Sequence, residues 1–174
     1  MPAKFEVDIM PATPFHFGPG LLIKAVTPHH FSVAAYSVAQ VVIDIESGYY
    51  LLKGDYPVHR QAHTFFLGGL IGLVCGLIVS RIGRAWAKPR DAIPEGLAVE
   101  YRLPIAAYSG LFGGVFHSVL DGIMHDDMRP LRPFSDANPL LGLVNIQVLY
   151  LFCIVTGLLG AAMLLAWERR SRRF

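Results

Sequence analysis

Charge is scarce in this chain. Asp, Glu, Lys and Arg make up 16% of the 174 residues, against 53% hydrophobic ones, whereas soluble domains run near a quarter charged. A domain of this length could bury a core in water, but it would need a more charged skin. Lipid is therefore read as part of the solvent. An excess of one sign is also lacking: the net charge is +2, which leaves no electrostatic footprint for nucleic acid. Cysteine is limited to Cys75 and Cys153, both inside apolar runs. They read as small hydrophobes rather than as a disulfide or a cysteine-based metal site. Residues 1–13 contain Glu6 and Asp8 and no basic stretch followed by an apolar one, so no cleavable signal peptide is expected. No Ser-His-Asp or Cys-His arrangement, internal repeat or low-complexity tract is visible.

What the chain has is long apolar runs. Residues 65–82, 103–124 and 145–167 are each apolar, and each has the ~20 residues that cross ~30 Å of hydrocarbon as a helix. Residues 31–52 form a fourth run, interrupted by Asp44 and Glu46. A fifth, 14–26, is short and reads as either a short span or a re-entrant half-helix, paired with the fourth across Pro28. Glycines at 68, 69, 72, 76, 110, 113 and 114 would weaken helices in water; in a membrane they allow close helix approach. Residues 84–102 and 126–139, rich in proline and charge, read as connectors. The expected fold is an all-α, polytopic transmembrane helix bundle of four to five segments, forming a single domain over 1–174.

Lys and Arg are distributed unevenly about these runs. Lys24, Arg81, Arg84, Lys88, Arg90, Arg102, Arg169, Arg170, Arg172 and Arg173 fall on one side. Lys4, Lys53, Arg60, Arg129 and Arg132 fall on the other. The excess marks the cytoplasmic side. The expected localisation is the inner (cytoplasmic) membrane, multi-pass, with the C-terminus in the cytoplasm.

On this map the intramembrane polar residues share one outer layer. His16 opens the first segment and Asp44 lies well up the second. His59 and His63 are expected to begin the third helix, with Pro57 in its first turn, and His117 and Asp121 lie late in the fourth. His59/His63 and His117/Asp121 are four apart, so each pair would share a helix face. Such pairs reach one ion readily. Imidazole with carboxylate suits a divalent metal, zinc above all, with manganese or iron as alternatives. Asp44 and Glu46 are two apart and point in nearly opposite directions on a regular helix. Only one should be a ligand unless the helix unwinds near Gly48. Any one of these residues could be satisfied by a neighbouring helix. Six in one layer would leave buried charge unpaired without a cation. His29 and His30, at the cytoplasmic turn, read as solvated. His125, Asp126 and Asp127, just past the outer end of the fourth helix, could support the ligands from behind but read rather as a polar exit.

Four elements in order resemble those of the predicted membrane-bound metal-dependent hydrolases of bacterial and archaeal inner membranes. They are Thr13-Pro14-Phe15-His16, Asp44-Ile45-Glu46, His59-Arg60-Gln61-Ala62-His63-Thr64 and His117-Ser118-Val119-Leu120-Asp121. The third element has Thr64 after its second histidine where the family has threonine before it. Either His59 or His63 therefore stands in the family's ligand position. The resemblance implies a metal-dependent hydrolase in the inner membrane.

The functional expectation is hydrolysis of a phosphoester or other lipid-linked substrate at the outer interface. Asp44, His63, His117 and Asp121 are the expected metal ligands, and His16 and His59 either complete the site or bind a second ion. Glu46 is the candidate base if it turns inward, and Arg60 would hold an anionic oxygen. The alternative is a structural or accessory subunit of a larger membrane complex, with a degenerate or structural metal site and a membrane-complex partner. A metal or proton carrier would want polar residues at several depths, which the single layer disfavours. Membrane lipids are the expected surroundings.

Overall fold

The computed structural model describes residues 13–87 and 99–171. Several residues used above lie outside them: Lys4, Glu6, Asp8, Lys88, Arg90, Arg172 and Arg173. Among the described residues the structure is helical, with no strand. A 3-10 turn, Thr13–His16, leads into α1 (Phe17–Val26); α2 (Val33–Lys53), α3 (Phe65–Ala87), α4 (Leu103–Met124) and α5 (Ile146–Ser171) follow. Three of them, α3, α4 and α5, are long and apolar enough to cross a membrane. Helix α2 is also 21 residues long. Helix α1, with 10 residues, covers only about 15 Å, half the ~30 Å hydrocarbon thickness.

Local chemistry sets the helix ends. Ser32 caps α2, its Oγ accepting from the Ala35 N–H at 3.1 Å. Gly54 closes α2 at φ 69°, a left-handed conformation open to glycine. Thr64 caps α3 by accepting from the Leu67 N–H at 3.1 Å, an ordinary N-cap bond. Pro104 sits in the first turn of α4, where its missing N–H costs no hydrogen bond.

The α3 helix therefore starts at Phe65, later than the sequence reading placed it. His59 and His63 lie in the 54–64 connector, not on a helix, and the shared-face argument for that pair does not hold. Pro57, expected in the first turn of this helix, lies in the connector, and Thr64 caps the helix.

Helices α3 and α4 make the most extensive helix contact in the fold, and glycine makes it possible. A Cβ added at Gly72 would lie 2.1 Å from the Gly110 carbonyl oxygen, one at Gly114 would lie 1.9 Å from that of Gly68, and one at Gly76 would lie 2.1 Å from that of Ala106. Three successive turns thus touch backbone to backbone, the packing expected where small residues line an intramembrane interface. On the other side, α1 lies against α5, where a Cβ at Gly18 would run into the Cys153 carbonyl. Both cysteines are free and buried.

The end of the bundle near the α1–α2 turn holds a buried ion pair that sequence reasoning missed. Lys24, counted above only as a cytoplasmic charge, contacts Glu100 and donates to the carbonyls of Pro28 and Phe31 at 2.9 Å each. The other Glu100 oxygen accepts from the Ala34 N–H at 3.0 Å, at the positive end of α2. His29 and His30 are exposed, as the sequence suggests.

Replacing Gly72 by Leu should therefore lower the thermal midpoint in detergent by an amount corresponding to about 1–3 kcal/mol or more, the usual scale of overpacking. Gly48→Ala, where a Cβ meets nothing within 4 Å, should raise it slightly, because alanine is the better helix former. Equal midpoints for the two variants would contradict the close α3–α4 contact.

Candidate metal centre

Asp44, His63, His117 and Asp121 come together from three places: α2, the connector before α3, and α4. One ligand-type atom from each lies within 4.8 Å of all the others. These are the four residues that the sequence reading placed around an ion. Three are buried, and Asp44 is partly exposed, with a side-chain exposure of 25%.

The spacings suit one ion. His117 Nε2 is 3.0 Å from Asp121 Oδ2 and 3.2 Å from Asp44 Oδ1, while His63 Nε2 is 3.7 Å from each of the same two oxygens. Ligand bonds of ~2.0–2.2 Å in tetrahedral array place neighbouring donors about 3.4 Å apart. The imidazole nitrogens approach these carboxylates without forming hydrogen bonds to them. The Nε2 atoms of His16, His63 and His117 are buried and make no hydrogen bond among the described residues. Protonated imidazoles would direct an N–H at the carboxylates, whereas deprotonated nitrogens direct lone pairs at the point they share. Buried polar atoms are rarely left unsatisfied, and a cation held by the four-residue group would satisfy those of His63 and His117.

The surrounding contacts fix those lone pairs. Gln40 directs its Nε2 at the Gly113 carbonyl, 3.4 Å away, and its Oε1 lies 2.7 Å from His117 Nδ1. The His117 proton then sits on Nδ1, leaving Nε2 to coordinate. Glu46 does the same for His63: its Oε2 is 3.2 Å from His63 Nδ1 and accepts from the N–H groups of Arg60 and Ala62 at 3.2 and 2.9 Å. Partners of this kind orient metal-ligating histidines. Sequence reasoning missed Gln40. The available signal was its position, four residues before Asp44 and so on the same α2 face.

Glu46, expected to act as a base if it turned inward, is found holding His63. The α2 helix runs without a break through Gly48 to Lys53, so no unwinding turns Glu46 inward. Instead the two acidic residues straddle one imidazole, Asp44 near its Nε2 and Glu46 at its Nδ1. His16 stands at the edge of the centre, its Nε2 3.4 Å from Asp121 Oδ1 and its Nδ1 3.3 Å from His117 Nδ1. Tyr36 fixes the turn carrying it by donating to the His16 carbonyl at 2.7 Å.

His59 is not among the four. It joins His125 and Asp127 in a second group whose ligand-type atoms also lie within 4.8 Å of one another. Asp127 Oδ1 is 2.7 Å from His59 Nδ1, and its Oδ2 accepts from the N–H groups of Val58 and His59 at 2.9 and 3.1 Å. Burial pushes the Asp127 carboxyl up, but the hydrogen bond and charge of His59, together with the N–H groups of His59 and Val58, outweigh it and hold the group at about 2. The His59 and His125 rings stack at 4.2 Å with 27° between their planes. Imidazole lone pairs lie in the ring plane, so stacked rings do not aim at one point, and one would have to turn before both held an ion. The group ties the 54–64 connector to the end of α4. This corrects the reading of His125 and Asp127 as a polar exit: Asp127 is buried and bonded across the connector. Asp126, by contrast, is exposed and bonded to the Tyr56 hydroxyl at 3.1 Å.

Arg60 stacks its guanidinium on the Tyr50 ring, 3.5 Å from the centroid, and donates from Nε to the Pro57 carbonyl at 2.8 Å. It stands beside the centre rather than in it.

No protein-family model, curated protein or solved structure matches the chain. Its functional reading rests on these residues. Among the described residues, two groups of His and carboxylate side chains could hold a metal ion, and the four-residue group has the donor set and spacing that fit one.

Asp121→Asn should abolish metal retention, since it removes the charge that contacts three histidines. Gln40→Leu should weaken retention by roughly 10–100-fold, the usual effect of losing an orienting partner, and His125→Ala should leave it intact. Elemental analysis of chelator-free preparations in one detergent checks all three. Metal lost from His125→Ala but kept by Asp121→Asn would place the ligands in the loops instead.

Proposed function

We propose that this chain is a membrane-embedded metal-dependent hydrolase acting at the outer membrane interface on a phosphoester or other lipid-linked substrate. The observation that carries the reading is the convergence of buried, unpartnered Nε2 atoms on two carboxylates. Zinc is the favoured ion for two imidazoles with two carboxylates in a near-tetrahedral array, with manganese and iron as alternatives. The order of the four sequence elements, which resembles that of the membrane-bound metal-dependent hydrolases, supports the same reading.

When bound, the ion would act as a Lewis acid toward the scissile group and lower the pKa of water to about 7. The chain's own residues supply the rest. Glu46 and Gln40 keep the protons of His63 and His117 on Nδ1, so that both Nε2 lone pairs stay directed inward. Asp121 spans the floor, one oxygen toward His63 and His117 and the other toward His16. Asp44 is the most exposed of the four ligands and marks the side from which substrate and water enter. Arg60, fixed on Tyr50, presents a cation for an anionic oxygen.

Purified protein should retain about one transition-metal ion per chain without added metal. It should hydrolyse at least one member of a phosphoester panel, and chelation should remove that activity. Metal well below one equivalent that does not rise on adding Zn²⁺ or Mn²⁺ would sink the reading.

The charge asymmetry supports a cytoplasmic C-terminus, with the metal centre at the opposite face. A reporter fused after Phe174 should score as cytoplasmic, and periplasmic activity of that fusion would move the centre to the inner face.

A further inference from the structure

A groove of about 520 Å³ runs between α2 and α3, walled by apolar side chains alone. Val38 and Val42 line it on α2, and Leu67, Ile71, Val74 and Ile78 line it on α3. Its α3 stripe, Leu67 to Ile78, rises about 16 Å at 1.5 Å per residue, close to half the ~30 Å hydrocarbon core. That is the depth of one leaflet.

The groove's lining approaches the centre along both helices: Val42 is two residues before Asp44, and Leu67 is four after His63. On α2, four-residue steps lead from Val38 to Val42, then Glu46, then Tyr50; each step turns about 40° around the helix, so successive side chains are surface neighbours. Glu46 holds His63, and Tyr50 carries the Arg60 guanidinium. Beyond the Nε bond to Pro57, the terminal nitrogens of Arg60 make no hydrogen bond among the described residues. Along this path the surface offers an uncharged slot one leaflet deep, the Glu46–His63 edge of the centre, and a cation held on Tyr50. This order matches the chain, linkage and anionic head of a lipid.

We infer that this groove binds one acyl chain of an anionic lipid, whose head group meets Arg60 and whose ester linkage lies at the metal centre. The inference rests on the hydrolase reading for the role of the linkage, while the binding itself does not require catalysis. An uncharged slot accommodates only an apolar chain without a desolvation cost. Arg60, already stacked and directional, favours phosphate or carboxylate over an uncharged head.

The test is photolabelling of the full chain in phosphatidylcholine vesicles. The probes are a phosphatidic acid with a diazirine on one acyl chain, and a diacylglycerol with the same chain. Adducts of the phosphatidic acid should concentrate severalfold on Ile71 and Val74 over Leu151 and Leu158, exposed residues of α5. Arg60→Gln should reduce groove labelling by the phosphatidic acid and leave that by diacylglycerol unchanged. Val74→Trp should reduce groove labelling by both probes while metal content, measured on the same preparation, stays constant. Even labelling of the groove and α5 would show bulk lipid only and overturn the inference, as would phosphatidic acid labelling indifferent to Arg60→Gln. Metal content separates the two claims. Selective labelling of a chain that holds no metal supports the groove and fails the hydrolase reading, whereas even labelling of a metal-loaded chain fails the groove alone.

Discussion

The structure depends on the backbone contact between α3 and α4. Gly68, Gly72 and Gly76 on one helix meet Gly114, Gly110 and Ala106 on the other so closely that a single added Cβ would strike a carbonyl. In lipid, apolar side chains gain little by leaving their surroundings, so close packing of small residues must hold helices together. The contact has a positional consequence. His117 and Asp121 lie on the turns just beyond Gly114, and His63 lies just ahead of Gly68. Locking the two helices in this register brings the connector that precedes α3 against the end of α4.

The polar residues then divide between the ends of the bundle. Near the α1–α2 turn, Lys24 and Glu100 satisfy each other and the surrounding backbone. At the other end, two carboxylates face three histidine nitrogens with no hydrogen bond to spare. The contrast separates a structural polar cluster from a candidate site: the first is closed, and the second could hold a cation. Helix α1 joins the two, with His16 just before it at one end and Lys24 near its other.

Around the centre, helix period and loop geometry share the work. Helix α4 presents His117 and Asp121 through simple four-residue spacing, and α2 presents Gln40 and Asp44 in the same way. His63 has no helix to place it. Its ring is fixed instead from both edges, by Glu46 on one nitrogen and by the approach of Asp44 and Asp121 to the other. Holding a loop-borne ligand by a carboxylate on a neighbouring helix gives it the rigidity that a site needs.

The sequence by itself determined the helical class, the apolar segments and the four residues of the centre. Hydrophobic run length is a local property, and buried ionisable side chains in such runs are too costly to be incidental. Direction along successive helices was enough to put His16, Asp44, His63, His117 and Asp121 in one layer. What only the tertiary structure decided was which contacts each side chain makes within that layer. Proline, glycine and the Thr64 cap delay α3 to Phe65, so His59 and His63 lie in a connector, and no helical periodicity predicts where a connector turns. His59 consequently pairs with Asp127, and Glu46 supports His63 without entering the centre. Glu100 and Asp127, and the contact of Gln40 with His117, became legible only across the chain, because the partners lie more than 60 residues apart. Spacing along one helix cannot report a contact that exists only once the helices have packed.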